Sequence, residues 1–244
     1  MKRIFRAFFM CLGMFSSIPF PYRPWDESAR NLMTACLPIV GAVIGLIWAF
    51  LAMLAAAVLP AGLAGAAIAA LPFLLSGFMH LDGFMDTSDA ILSWRPLEER
   101  LRILKDSHTG SFAVVNLAML MLFTYGAAFS SLAADLRVLV LIPVISRCGS
   151  AFCVTTLKPL GHSEYKDAHG SSAQRLAILA VYILAMLTGA IWLGRGVIAL
   201  AATTLGYTLA MLWAVRTLKG VSGDLAGFAL SIAETCGLAV LACL

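Results

Sequence analysis

Three aspartates stand close together where an apolar run ends. The stretch HLDGFMDTSDA, residues 80–90, directly follows AGLAGAAIAALPFLLSGFM. On a helix, Asp82, Asp86 and Asp89 are spaced i, i+4 and i+7, and they fall within a stripe of roughly 60° because each residue turns by about 100°. Like charges on one stripe repel one another, and a bound divalent cation removes that conflict. The spacing therefore predicts a site for Mg²⁺ or Mn²⁺, with a solvated acidic helix end as the alternative. It is compatible with any enzyme that holds magnesium against a diphosphate, but it does not by itself name the reaction.

His80 comes just before this stripe and points roughly to the opposite side of an ideal helix. It reaches the aspartates only if Gly83 breaks or kinks the helix. In that case His80 is a candidate proton-transfer group, and otherwise it is a histidine at the membrane interface. Both interpretations stay open at the level of the sequence.

A second polar motif, RLRILKDSHTGSF, leads into another apolar run. Lys105 can neutralise phosphate oxygens, and Gly110 with the neighbouring amides at a helix start can form an anion cradle. The alternative is an ordinary basic loop that caps the next helix through one of the hydroxyl groups of Ser107, Thr109 and Ser111.

The third motif, KGVSGDLAG, places Asp224 at the start of the last apolar run. A carboxylate at that depth needs a partner, and the metal site is one candidate. Glu234 lies deeper in the same run, and Arg147 is also embedded in an apolar run, in ISRCGSAF. These two residues are candidates for an intramembrane ion pair, and Arg147 is also a candidate substrate-binding cation.

The composition predicts an all-α, polytopic membrane protein. The 244 residues are 61% hydrophobic and 12% charged, whereas soluble domains carry roughly twice that share of charge. A helix needs about 20 apolar residues to cross the hydrocarbon core. About seven spans fit the apolar runs: 35–59, 61–80, 111–132, 136–157, 176–194, 196–215 and 221–244.

The first 30 residues form a separate, basic and apolar segment. Arg6 interrupts its apolar stretch, Pro19 and Pro21 end it, and no signal-peptide cleavage site is evident. We expect an uncleaved interfacial or re-entrant segment at 1–30, a long active-site loop at 80–110, and a single domain over 1–244.

Basic residues predict the orientation. Of the 17 lysines and arginines, 14 fall on the same side as the N-terminus, and only Arg137 and Arg195 fall on the other. The positive-inside rule therefore places the N-terminus and all three polar motifs in the cytoplasm. The net charge of +4 is explained by these loops and is no evidence for nucleic-acid binding.

The motifs HLDGFMDTSDA, RILKDSHTGSF and KGVSGDLAG, in this order, resemble the cobalamin synthase family, the adenosylcobinamide-GDP ribazoletransferases. The N-terminal pattern MFSSIPFP and the run LPIVGAVIG are similar to that family as well. The resemblance extends from about residue 8 to about residue 235.

This resemblance implies the last assembly reaction of the nucleotide loop of coenzyme B12. A ribose hydroxyl of α-ribazole, or of its 5′-phosphate, displaces GMP from adenosylcobinamide-GDP. It implies a magnesium-dependent, multi-pass enzyme of the inner (cytoplasmic) membrane. The implied partners are these two substrates and the lipid bilayer, and further enzymes of the pathway or a second copy of the chain are additional candidates.

Carried over residue by residue, the resemblance assigns metal-site candidates to Asp82, Asp86, Asp89, Asp106 and Asp224. The catalytic candidates are His80, Asp82, Asp86 and Lys105. The substrate-binding candidates are Lys105, Ser107, Gly110 and Arg147. In this hypothesis Lys105 offsets the charge that develops on GMP, and one aspartate or His80 accepts the ribose proton.

The chain departs from the family pattern at several positions. His108 stands where K-D-S-R-I-G has arginine, Ala90 stands where glycine is expected, and Ser17 stands where arginine is usual. The loop GHSEYKDAHG lacks the expected Pro-Tyr-Ala-Arg pattern. A fixed phosphate contact at residue 108 is therefore in doubt.

Two other functions are compatible with acidic residues in a membrane protein. A secondary transporter would use carboxylates along an ion path, but such sites usually lie near the midplane between repeated halves. A phosphotransferase of the CDP-alcohol type carries the signature D-G-x-x-A-R, and here Asp82-Gly83 is followed by Phe-Met-Asp-Thr.

Overall fold

The helical architecture follows from the apolar runs, because a backbone in lipid must satisfy its hydrogen bonds within its own segment. The computed structural model describes residues 2–22, 24–161 and 170–244. Over these ranges there are ten α-helices: α1 (Lys2–Phe15), α2 (Arg30–Val58), α3 (Ala61–Leu75), α4 (Met79–Leu92), α5 (Leu97–Ile103), α6 (Ser111–Ser130), α7 (Ile142–Thr156), α8 (Ser172–Trp192), α9 (Val197–Leu218) and α10 (Gly223–Leu241).

Six of the described helical segments are long and apolar enough to cross a membrane, and α3 with α4 forms a seventh, bent candidate. The predicted all-α bundle of about seven spans is therefore confirmed. The second span, predicted at about 61–80, does not run on into the aspartate motif as one helix. The chain breaks after Leu75, and the axis of α4 turns by 90° from that of α3. The stretch predicted as a loop at 80–110 is mostly helical, in α4 and α5.

The break between α3 and α4, residues 76–78, is called the elbow below. Gly77 and Phe78 both adopt left-handed backbone conformations, with φ of 63° and 61°. Glycine tolerates this conformation, whereas a side chain as large as phenylalanine rarely adopts it. The N–H of Phe78 donates to the Phe73 carbonyl at 3.0 Å, which closes the end of α3. From outside, the N–H of Ser17 donates to the Leu75 carbonyl at 2.9 Å.

Close helix crossings depend on small residues. Gly41 and Gly45 of α2 face backbone carbonyls near the start of α7, so a Cβ at either position would come within 2.5 Å of a carbonyl oxygen. The helix α10 lies at the centre of the bundle, against α4, α6, α7 and α9. By contrast, α6 and α8 leave most of their side chains on the outside, where apolar residues such as Phe123 and Leu184 face lipid.

Candidate active site

The polar motifs of the sequence meet at one end of the bundle. The N–H of Leu160, after α7, donates to the Val221 carbonyl at 2.8 Å, and the N–H of Val221 donates to the Lys158 carbonyl at 3.0 Å. This short pairing ties the end of α7 to the turn between α9 and α10. The helix α10 then begins beside α4, because Gly83 lies against the backbone of Asp224.

Four carboxylates are grouped at this end. The helix α4 is continuous from Met79 to Leu92, so Asp82, Asp86 and Asp89 share one face at the expected spacing. Asp82 is exposed, whereas Asp86 and Asp89 are half-buried. Asp86 is repelled electrostatically by Asp82, Asp224 and Asp89. The structure therefore brings the third motif to the aspartate stripe of the first.

The second motif reaches the stripe through Gly110. A Cβ at this position would lie 2.1 Å from a carboxylate oxygen of Asp89. Gly110 is the N-cap residue of α6, and no described side chain caps it, so the alternative of a cap by Ser107, Thr109 or Ser111 is wrong. The carboxylate of Asp89 instead lies at this helix start, where the partial positive charge of the helix favours an anion. The backbone amides at this helix start were predicted to bind an anionic substrate. They lie next to an anionic side chain of the protein itself, that of Asp89.

The loop between α5 and α6 is exposed and held by its own polar groups. Asp106 Oδ1 accepts a hydrogen bond from the backbone N–H of His108 at 3.0 Å and lies 2.7 Å from His108 Nδ1. These contacts, the backbone bond first, hold the pKa of Asp106 below its ordinary value. Lys105 and Ser107 are exposed in the same loop. Asp106 is thus an ionised carboxylate whose hydrogen bonds stabilise its own turn, and it is not among the carboxylates that repel Asp86.

His80 lies away from the carboxylates. The helix is unbroken at Gly83, so the kink that would bring His80 to the stripe does not form. The side chain is 8% exposed, and its ring lies nearly parallel to that of Phe15, with centroids 6.4 Å apart. Its Nε2 has no hydrogen-bond partner within the described ranges. His80 lines the same small internal gap as Ser76 and Glu234, on the inner side of α4.

Arg147 and Glu234 form the intramembrane ion pair that the sequence suggested. Arg147 Nη1 is 2.6 Å from Glu234 Oε1, and the Arg147 side chain is 0% exposed. The Ser146 hydroxyl donates to the same carboxylate oxygen at 2.8 Å. Arg147 was also predicted to contact a substrate. Its side chain offers no exposed surface for such a contact, because the guanidinium is enclosed by its partners.

Sequence reasoning missed the packing role of two glycines, Gly83 and Gly227. At Gly227, a Cβ would come within 3.0 Å of the His80 carbonyl oxygen, and at Gly83 it would come within 2.7 Å of the Asp224 Cα. Only glycine lets α4 cross the start of α10 at this distance. For Gly227 the available signal was G-D-L-A-G, residues 223–227, whose small-xxx-small spacing is typical of close helix crossings in membranes.

The oxygen atoms of the four aspartates are suitable ligands for a hard divalent cation, although these side chains do not surround one common point. Among the described residues, no group of three or more His, Cys, Asp or Glu side chains is arranged to hold a metal ion. The four grouped aspartates nevertheless offer only carboxylate oxygens, the ligands that Mg²⁺ prefers. Their mutual repulsion is also the condition that a bound cation relieves.

Comparisons with known proteins agree over nearly the whole chain. A family model described as cobalamin-5-phosphate synthase matches residues 7–242. A protein of Clostridium perfringens called adenosylcobinamide-GDP ribazoletransferase is 36% identical over 250 residues, which cover 99% of both chains. Proteins with the same name from Clostridium botulinum and Geobacillus kaustophilus are 36% and 29% identical, over 98% and 96% of this chain and 97% and 94% of their own. No solved structure matches the chain significantly.

Proposed function

The chain belongs to the cobalamin-5-phosphate synthase family, and from this premise we propose how its grouped carboxylates serve the reaction of that family. The activity is a ribazole transfer: α-ribazole, or its 5′-phosphate, displaces GMP from adenosylcobinamide-GDP, which completes the nucleotide loop of cobalamin. The reaction cleaves a diphosphate, so positioning and neutralisation of negative charge supply most of the catalysis.

The observation that carries the proposal is the meeting of Asp82, Asp86 and Asp89 on one face of α4 with Asp224 at the start of α10. These carboxylates are the side chains that would hold Mg²⁺. When bound, the ion neutralises oxygens of the diphosphate and lowers the repulsion between two anionic reactants. Asp106 supports the neighbouring loop instead, because its contacts are within its own turn.

The remaining steps belong to side chains that the substrates can reach. A ribose hydroxyl oxygen attacks the phosphorus on the cobinamide side of the diphosphate, and the bond from that phosphorus to the oxygen of GMP breaks. Asp82 accepts the hydroxyl proton, because it is the exposed member of the stripe. Lys105, exposed in the adjoining loop, offsets the negative charge that develops on GMP. His80 is excluded from this role by its burial.

We assign the active-site face to the cytoplasmic side of the inner membrane. Of the 17 basic residues, 14 belong to segments on the side of the N-terminus. Contacts join those segments at one end of the bundle: Val221 pairs with the chain at Lys158 and Leu160, and the Gln174 side chain donates to the Asn31 carbonyl at 2.6 Å. An enzyme whose nucleotide substrates come from the cytoplasm requires its polar residues on that one face of the membrane.

The test uses purified protein in liposomes with adenosylcobinamide-GDP and α-ribazole 5′-phosphate, with and without Mg²⁺. GMP release and the corrinoid product are followed by chromatography. Wild type should form product only with Mg²⁺, and Asp82→Asn and Asp86→Asn should each lower kcat by at least about 100-fold. The matched control is Asp135→Asn, since Asp135 pairs with Arg137 in the segment before α7, away from the site. Product formation by both aspartate variants at the wild-type rate would refute the assignment.

A further inference from the structure

We propose that Arg147 is a positioning residue: through Ser76 and Glu234 it holds the two helices that carry the grouped carboxylates in register for the transfer reaction. The inference rests on the proposed role of those carboxylates. It assigns a task to the most buried charge of the described chain, which the reaction itself does not use.

The contacts of the guanidinium point to this task. Nη2 of Arg147 donates to the Ser76 hydroxyl at 3.0 Å, and Nη1 donates to Glu234 Oε1 at 2.6 Å. Ser76 belongs to the elbow from which α4 starts, and Glu234 belongs to α10, the helix that carries Asp224 in its first turn. One planar group thus links the elbow that precedes α4 to α10, and only a guanidinium presents two nitrogens in the fixed fork that this requires.

Stability alone does not explain such a pair. Moving two charges out of water costs much of what their attraction returns, and well-packed apolar residues at the same positions often stabilise a protein equally well. The side chains of Arg147 and Glu234 are 0% and 7% exposed. What an apolar pair would lack is the directional bond to the elbow.

The elbow is restrained from outside as well as by its own backbone hydrogen bonds. Phe78 adopts φ of 61°, a conformation that a phenylalanine rarely adopts by itself. Two groups bind the elbow region from different elements: the Ser17 hydroxyl donates to the Leu74 carbonyl on one side, and Arg147 binds Ser76 on the other. The angle between α3 and α4 therefore depends on tertiary contacts.

A small change of this angle is amplified along α4. Asp86 comes eight residues after Phe78, which is about 12 Å of helix at 1.5 Å per residue. A rotation of about 5° at the elbow then moves the Asp86 carboxylate by about 1 Å. Displacements of that size at reacting groups cost up to about 100-fold in rate.

The experiment compares two buried serines that both bond to the ion pair, one in the elbow and one on α7. Ser76→Ala removes the bond between Arg147 and the elbow, while Ser146→Ala removes a hydroxyl bound to the same ion pair but located on α7, next to Arg147. Both side chains are buried, at 4% and 0% exposure. We expect Ser76→Ala to lower kcat by about 5- to 20-fold with KM within twofold of wild type. Ser146→Ala should stay within twofold for both, and Ser76→Thr, which keeps the hydroxyl, should recover the wild-type kcat.

Arg147→Lys provides a second route if Ser76→Ala does not fold. Lysine keeps the charge opposite Glu234 but offers a single nitrogen, so it should lose kcat as Ser76→Ala does. A wild-type kcat in Ser76→Ala or in Arg147→Lys would overturn the proposal, and so would equal losses in Ser76→Ala and Ser146→Ala.

A readout that does not need activity separates this inference from the proposed function. Spin labels at Trp94→Cys, just after α4, and Arg216→Cys, near the end of α9, report the position of α4 in a background without the native cysteines. The distance distribution should shift or broaden in Ser76→Ala and stay unchanged in Ser146→Ala. An inactive wild type would refute the proposed function alone, whereas an unchanged distance in Ser76→Ala would refute the role of Arg147.

Discussion

Gly83 of α4 lies directly against Asp224 at the start of α10, so that a Cβ on Gly83 would come within 2.7 Å of the Asp224 Cα. The atoms in the way belong to the backbone of a helix, and they cannot turn aside as a flexible side chain can. This contact joins the first and third polar motifs of the sequence, and it sets the distance between their carboxylates.

Gly83→Ala should therefore separate α4 from α10. We expect a loss of about 1–3 kcal/mol in stability from overpacking and a fall in kcat of at least about tenfold, because Asp224 moves away from the stripe. Thermal unfolding in detergent and GMP release measure the two effects. The matched control is Gly126→Ala in α6, where no described atom lies within 4 Å of the new Cβ. That variant should be as active as wild type and no less stable, since alanine favours a helix over glycine.

Gly110→Ala should disturb the site although none of its carboxylate residues is substituted. The new methyl group would lie 2.1 Å from a carboxylate oxygen of Asp89 and would displace it from the start of α6. We expect kcat to fall by about 10- to 100-fold. Gly161→Ala is the control, since no described atom comes within 4 Å of its Cβ. Equal activity of the two variants would show that the contact between Asp89 and α6 does not matter for the reaction.

Asp86→Asn should stabilise the protein while it removes activity. Asp86 is half-buried and repelled by Asp82, Asp224 and Asp89, so neutralising it lowers the repulsion in the absence of metal. In the presence of EDTA, we expect a Tm a few degrees above that of wild type. Added Mg²⁺ should raise the wild-type Tm, because a ligand that binds only the folded state stabilises it.

The same cation should raise the Tm of Asp86→Asn much less. Asp135→Asn serves as the comparison, since Asp135 pairs with Arg137 instead of other carboxylates. It should keep the full response to Mg²⁺. A Tm that does not depend on Mg²⁺ in wild type would argue against a metal held by the aspartate group.

Thiol labelling should reveal the orientation in the membrane. Cys243 is exposed after the end of α10, whereas Lys105 lies at the other end of the bundle, in the loop beside Asp89. In spheroplasts, a membrane-impermeant maleimide should label Cys243 of wild type. In a Cys243→Ser background, Lys105→Cys should react only in inverted vesicles. The reverse pattern would place the active-site face outside and contradict the orientation inferred from the basic residues.

Much of this protein is determined by its sequence alone. Apolar runs of about 20 residues can bury their backbone polar groups in lipid only as helices, so the spans were readable from composition. The stripe of Asp82, Asp86 and Asp89 was also readable, because residues four and seven apart share a helix face whatever surrounds the helix. The ion pair of Arg147 with Glu234 was suggested by the same logic, since charges inside a membrane need partners.

Tertiary contacts decided the rest. The elbow comes where Phe78 adopts a conformation against its local preference, and the bonds from Ser17 and Arg147 that hold it come from residues about 60 and 70 positions away in the sequence. The burial of His80, with its ring against that of Phe15, also depends on how α4 packs in the bundle. Local periodicity reports which residues share a face of one helix, but which faces meet depends on contacts that form only when the whole bundle packs.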